Sequence, residues 1–446
     1  MSGTEGSSAK PDTTGVKFGF YWLMPGITKT NAATLLFAGS TTIAVLTFMA
    51  FGQPFLFDVI GIPQDQQGAL TGFLGAMQEA VFILLVSLFG ALSDNVGRRI
   101  VYVGGMIIMG LGYFFYPLAI SEGELIGFRI FYAVGLSAVM VMMHTCFAEY
   151  SQDVSRGKWM GTVGFFNALG VTIMALLLVK MPSWYVSAGY SDLDAIRFSY
   201  WTFGAYLLVL AIILKFGLQC RTAPIRKTEN ILKQASRGFA AARTNPRIAL
   251  AYGMAFASRG DLVVLTSFFT LWVFQAGLDD GLTRDASTVK AGMLFGLSQG
   301  AGLIWAFCVG FLFDKVPRLT SMCIAFGLAT VGYLSLGMVT DPFGVFIIFA
   351  CIMAGVGESS ALVGGGVMIG QEAPPETRGA VLGTFSLMGG IGIMSLTFLG
   401  GILFDQIGPT APFVMMGIIN FLVFGAALYA RHNWNPDHQP SRVLQT

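Results

Sequence analysis

Charged residues are what this sequence has least of. Asp, Glu, Lys and Arg make up 11% of its 446 residues, where a soluble chain carries roughly 25%. That shortage excludes an ordinary soluble fold, and no nucleic-acid partner is expected. Cysteine is also scarce. Cys146, Cys220, Cys308, Cys323 and Cys351 show no paired spacing, so neither a disulfide framework nor a zinc site is expected. The chain has no Gly-x-x-x-x-Gly-Lys-(Ser/Thr) loop and no His-Glu-x-x-His. A built-in ATP motor and a zinc hydrolase are excluded on that ground, no nucleophile motif is seen, and no cofactor is expected. No short apolar segment with a cleavage site precedes the first long apolar run. Residues 1–32 are therefore expected to be a disordered tail with no cleaved signal peptide.

What is there is apolar. Hydrophobic residues reach 54% and mean hydropathy is +0.70. Crossing a bilayer core of about 30 Å takes about 20 apolar residues. Twelve runs qualify: 33–56, 67–89, 100–120, 125–149, 159–181, 198–219, 248–274, 290–309, 319–339, 345–370, 380–403 and 411–430. The fold class is thus an all-α polytopic membrane protein of twelve helices. With the N-terminus placed inside, 20 of the 26 Lys and Arg fall on the cytoplasmic side and 4 outside, with Arg129 and Arg259 left within spans. Both termini are therefore expected in the cytoplasm.

The chain reads as two halves. Residues 33–219 and 248–430 each hold six spans. A basic linker, 220–247, joins them, and 431–446 forms a cytoplasmic tail. Leu232, Ala235 and Phe239 could give the linker the apolar face of a short interfacial helix. Two segments recur. Gly90-Ala-Leu-Ser-Asp94-Asn-Val-Gly97-Arg98-Arg99 follows the second run, and Gly310-Phe-Leu-Phe-Asp314-Lys315-Val-Pro-Arg318 follows the eighth, 220 residues on. Ser155-Arg156-Gly157 opens the fifth run, and Thr377-Arg378-Gly379 opens the eleventh, 222 residues on. Near-equal offsets mark a parallel 6+6 duplication, a pattern of one large transporter class.

These residues resemble the major facilitator superfamily (MFS). Its loop between helices 2 and 3 reads Gly-x-x-x-Asp-(Arg/Lys)-x-Gly-(Arg/Lys)-(Arg/Lys). Gly90, Asp94, Gly97, Arg98 and Arg99 match it, and Asn95 departs. In the second copy Gly310, Asp314, Lys315 and Arg318 match, while Pro317 and Leu319 depart. The resemblance implies two six-helix bundles and a conformational latch in which Asp94 ties helix 2 to helix 11. A weaker likeness lies in helix 4, where Leu125, Arg129 and Gly135 match a motif of proton-coupled members, but Tyr132 and Ala133 replace its Gln-Gly. Arg129 either takes part in proton transfer or snorkels to the interface. The Gly-Pro pattern of many antiporters is missing from helix 5.

Ionisable residues inside hydrocarbon are costly and face a cavity or a partner. Arg129, Arg259, Asp261 and Glu358 fall on helices 4, 7 and 10, which the resemblance implies line a central cavity. Arg259 and Asp261 are two residues apart, about 200° around a helix, so they face opposite ways unless Gly260 breaks the helix. Arg259 serves either as a structural counter-ion to Glu358 or Asp261, or as a contact for an anionic substrate. Glu358 lies in a glycine-rich, poorly helical stretch and is the first choice for a coupling-proton site. Glu79 either carries protons or bonds to helix 11. His144, alone on an apolar helix, reads as structural.

The expectation is a secondary transporter, not an enzyme, in the plasma membrane or a bacterial inner membrane. It takes a small-molecule substrate, uses protons as coupling ion, and works as a monomer in the lipid bilayer. Proton-coupled uptake of an anionic metabolite is one version. Export of lipophilic or drug-like compounds is the other. An intramembrane enzyme and a passive channel are remote alternatives. Asp94→Ala is expected to lower transport while leaving membrane insertion intact; a variant with the full transport rate removes the latch.

Overall fold

The computed structural model describes residues 14–219, 231–374 and 376–433. Among them are twelve helices long and apolar enough to cross a membrane. They are α1 (Lys29–Val59), α2 (Gln64–Val96), α3 (Arg98–Phe115), α4 (Glu122–Tyr150), α5 (Arg156–Leu176), α6 (Asp192–Gly217), α7 (Pro246–Asp279), α8 (Arg284–Lys315), α9 (Arg318–Gly337), α10 (Phe346–Glu372), α11 (Arg378–Gln406) and α12 (Ala411–Asn433). Every expected span is found, and most extend beyond the apolar run that marked them. The extra turns are polar, and those that open α1, α4, α6 and α7 carry side-chain caps. Thr28 and Asn31 form a reciprocal capping box on α1. Ser191 caps α6, and Asn245 caps α7 ahead of Pro246 at its first turn.

Only Gly97 separates α2 from α3, at φ 99°, a conformation that a side chain at this position would strain. Its counterpart in the second half is Val316-Pro317. Within each half the helices meet on small residues. A Cβ at Gly357 would lie 2.6 Å from the Cα of Ala329, and one at Gly112 would lie 2.9 Å from the Cα of Tyr132. The glycine-rich stretch of α10 is thus a continuous helix, contrary to the expectation of a poor one. Its glycines serve backbone approach between neighbours, a common use inside membranes. Gly260 likewise leaves α7 unbroken.

The two halves meet along one seam, closed toward the end that carries Asp58. There Arg284 of α8 binds Asp58 of α1 and Asp192 of α6. Gln275 of α7 donates to Gln64 O and Gln67 Oε1 of α2, both at 3.1 Å. Thr270 of α7 donates to Ala50 O of α1. Closure continues past mid-span. Gly390 of α11 lies against Glu79 and Ile83 of α2, and the rings of Phe165 and Phe307 are 5.7 Å apart. Beyond that level, toward Asp94, Leu88 of α2 and Phe311 of α8 are exposed.

The expected tail, 1–32, is corrected over its described part. Strands β1 (Lys17–Phe18) and β2 (Tyr21–Trp22) form a small hairpin, and Leu23 is fully buried. Met24 N donates to Tyr150 O, and Gln152 N donates to Trp22 O. The polar composition hid this because the segment is held by backbone bonds to the loop after α4. The linker expectation lies partly outside the described residues, at 220–230. Its rest includes the helix Ile231–Thr244, which docks on the second half. Tyr252 Oη donates to Gly238 O, and Ala241 and Ala242 pack on that half's core. Leu23→Ala is expected to open residues 14–24 to hydrogen exchange by removing the buried anchor. Phe20→Ala, at an exposed position, should leave them protected; equal exchange in both variants would mean Leu23 anchors nothing.

Candidate functional site

Arg259 lies in the middle third of α7, and its residue is exposed, as is His144 on α4. A charged group exposed at that depth faces water, because facing lipid is costly. The surface bearing Arg259 and His144 therefore belongs to an aqueous cavity on the Asp94 side of the seam. Two consecutive glycines of α11 make room for it. A Cβ at Gly389 would come within 2.8 Å of Arg259 Cγ, and one at Gly390 within 3.0 Å of Glu79 Oε1. Glu79 comes from the first half and Arg259 from the second, and their charges act on one another. No ion pair between them is formed among the described residues. His144 also feels the Arg259 charge, and its Nδ1 is 2.8 Å from Met140 O.

Asp261 faces away from this cavity, as its two-residue offset from Arg259 requires. It is fully buried. Asn420 Nδ2 of α12 donates to Asp261 Oδ1 at 2.8 Å, and Oδ2 has no partner. Glu358 is buried on α10 and accepts from Gln299 Nε2 of α8 at 2.9 Å. The two carboxylates interact electrostatically. The hydroxyl of Tyr333 on α9 is buried and has no partner. Arg259 pairs with neither Asp261 nor Glu358. The structure thus separates the five candidate residues: Glu79 and Arg259 at the seam, Asp261 and Glu358 inside the second half, and Arg129 elsewhere.

Arg129 does not snorkel. It is buried inside the first half, with its guanidinium carbon 5.6 Å from the Tyr116 ring and 5.5 Å from the Tyr132 ring. Nε and Nη1 have no hydrogen-bond partner. Tyr116 Oη donates to Gln53 Oε1 at 3.2 Å. The ring faces compensate the charge where a carboxylate would usually do so.

The hairpin after α2 is tied to its own half. Arg98 binds Asp94 within the hairpin and Glu149 of α4 at 3.1 Å, and Arg99 reaches Leu218 O at 3.4 Å. Gly90 has open space around it. Among the described residues, no hydrogen bond or ion pair joins Asp94 to α11 in this state. In the second copy Gly310 also borders open space, while Lys315 ends α8 and Arg318 begins α9; the side chain of Asp314 lies outside the description. Glu372, at the end of α10, pairs with Arg247 at 3.2 Å. Sequence reasoning missed Asp58, Asp192, Arg284 and Asp405 because all four lie at helix ends, where charged residues look merely solvated. Their only signal was the excess of carboxylates over cations on the sparsely charged side.

A two-fold repeat of six spanning helices around a charged, one-sided cavity is the architecture of a membrane transporter. The sequence model of the Major Facilitator Superfamily matches residues 30–352 and 335–446, and the chain belongs to that family, as a multi-pass membrane protein. It is 28% identical over 431 residues to magnetosome protein MamZ of Magnetospirillum gryphiswaldense, covering 90% of this chain but 62% of that protein. Magnetosome protein MamH of Paramagnetospirillum magneticum is 27% identical over 415 residues, covering 89% of this chain and 91% of that protein. A gentisate transporter of Corynebacterium glutamicum is 24% identical, covering 83% of this chain and 80% of that protein. In fold, the chain is similar to the crystal structure of the nucleoside transporter NupG, with TM-score 0.68, 12% identity, and coverage of 90% and 98%.

The two guanidinium nitrogens of Arg129 that lack a hydrogen bond lead to a stability prediction. Arg129→Leu is expected to keep the thermal midpoint of the purified protein at or above that of the wild type, because an incompletely bonded buried charge costs several kcal/mol. A midpoint lower by several degrees would mean that the tyrosine rings hold the charge at a net gain.

Proposed function

We propose that this protein is a secondary transporter that takes up a small organic anion by alternating access, coupled to protons. The observation that carries the reading is Arg259: a guanidinium exposed to an aqueous cavity in mid-membrane, with no carboxylate bound to it. A guanidinium keeps its charge under all relevant conditions, so such a site attracts an anion. Glu79 stands across the seam as its counter-charge, and an arriving carboxylate or phosphate substitutes for it. Release of the substrate then restores the Glu79–Arg259 attraction.

Lys and Arg placement supports putting the Asp94 end in the cytoplasm. On that orientation the structure is inward-facing, with its outer end shut by Arg284, Asp58 and the glutamine cluster. Asp261 and Glu358 are the proposed proton carriers. Both carboxylates are buried in the second half, each bonded to an amide side chain and neither to a cation among the described residues, which supports that role. A single chain supplies both bundles, which supports a monomer. The bacterial relatives support the inner membrane.

A thermal-stability screen tests the reading, because a ligand that binds the folded state raises its stability by about 2.7 kcal/mol at a hundred times Kd. An anionic metabolite is expected to stabilise the wild type and not Arg259→Gln, with the effect changing with pH in the wild type and less so in Glu358→Gln. If only lipophilic cations stabilise the protein, and the effect depends on Glu79 or Glu358, uptake of an anion is replaced by export of drug-like compounds.

A further inference from the structure

Arg259 of α7 shares its cavity with His144 of α4. Both are densely surrounded by protein and accessible at once. That is the condition of a group inside a cavity and not of one on the lipid face. They lie close enough for the charge of Arg259 to act on the imidazole, but at different depths. Counted from the Asp94 end, Arg259 follows Pro246 by roughly 20 Å of helix, whereas His144 precedes Tyr150 by roughly 9 Å. His144 thus stands on the mouth side of Arg259.

The imidazole is held in one tautomer. Its Nδ1 is 2.8 Å from Met140 O, one turn back on α4. A carbonyl oxygen only accepts, so Nδ1 carries the proton and the neutral ring presents Nε2 as a lone pair. No other hydrogen bond of His144 is formed among the described residues. The cavity therefore offers one fork of donors, Arg259, and two acceptors, the Glu79 carboxylate and His144 Nε2. Gly389 and Gly390 of α11 keep side chains out of the space beside Arg259 and Glu79. A plain carboxylate holds acceptors only. It satisfies Arg259 and leaves Nε2 to water. An acid that also carries a hydroxyl satisfies both groups at once.

We propose that His144 is a specificity-determining residue and that the anion taken at Arg259 is a hydroxylated organic acid. Its carboxylate lies on the guanidinium, and its hydroxyl donates to His144 Nε2 on the mouth side. The acid enters carboxylate first, because the fixed charge lies deeper. The inference rests on the anion-uptake reading above and names the substrate class of that same site.

The test compares matched acids with and without a hydroxyl: acetate with glycolate, propionate with lactate, butyrate with its beta- and gamma-hydroxy derivatives, and benzoate with meta-hydroxybenzoate. Apparent Kd values come from thermal-shift titrations of the full-length protein in lipid nanodiscs. In the pair whose spacing fits, the hydroxylated member is expected to bind wild type roughly tenfold tighter, the scale of one added hydrogen bond. His144→Leu should cut that preference to within about twofold by weakening the hydroxylated member, since the acceptor is gone. His144→Gln, whose amide oxygen can still accept, should keep part of it, and serves if His144→Leu fails to fold. A histidine that only shaped the helix would weaken both members alike and leave their ratio unchanged. Equal binding of both members of every pair to wild type, lost in Arg259→Gln, would remove the hydroxyl contact and leave the anion site standing. A preference that survives intact in His144→Leu would remove His144 as its reader. Absence of any acid binding that depends on Arg259 would remove the anion reading and this proposal together.

Discussion

A charge inside hydrocarbon has to find water, a counter-charge or a proton, and this constraint organises the molecule. Four solutions occur within one bundle pair. Arg259 finds water, which requires that the two halves part on one side of it. Arg129 finds two tyrosine faces and so stays in a closed part of the first half. Arg98, close to the interface, finds two carboxylates, Asp94 and Glu149. Asp261 and Glu358 find amide donors in Asn420 and Gln299, which stabilise but do not neutralise them. Among the described residues, neither Arg259 nor the acid pair has an opposite charge bound to it. Those are the positions on which the proposed function rests.

The resulting division of labour is spatial. Arg259 and Asp261 are neighbours on α7, and Gly260 lies between them with Leu396 of α11 packed against it. One face of α7 thus meets the cavity and the other meets the buried acids. A rigid helix links the two without any relay of side chains. Rotation or tilt of α7 by a small angle changes the solvation of both. Under the proposed function, α7 is the element that links the anion site to the buried acids.

Much of this was legible before any coordinates. Twelve apolar runs appear as twelve helices because a membrane span has to satisfy its backbone internally over a fixed length. The repeat at Asp94 and Asp314 revealed the duplication because charged hairpins stand out in an apolar chain. The opposite faces of Arg259 and Asp261 followed from helical periodicity alone. Partners were not legible. Which glycines would bring Glu79 to α11, or which rings would enclose Arg129, depends on contacts far apart in sequence. The N-terminal hairpin was missed for a related reason, since its order comes from backbone bonds to residues 150–152, which leave no trace in composition. Asp405 looked like an ordinary solvated helix end.

The seam also has to be weak enough to open. Arg284, with its side chain 38% exposed, contributes little through its ion pairs, on the order of 0–1 kcal/mol each for exposed pairs. The glutamine cluster exchanges hydrogen bonds that water could also make. Gly68, Gly72 and Gly401 allow close contact while offering almost no side chain to interlock, so parting them breaks no knob from its hole. They let the carboxylate of Asp405 reach backbone amides, while buried aromatic rings cross the same end, Phe51 against Phe295 at 5.5 Å and Phe55 against Phe274 at 6.4 Å. The closed end is thus held by exposed ion pairs, exchangeable hydrogen bonds and a compact apolar contact between the halves. An equilibrium between a closed and an open end shifts only by a ligand's differential affinity for the two states.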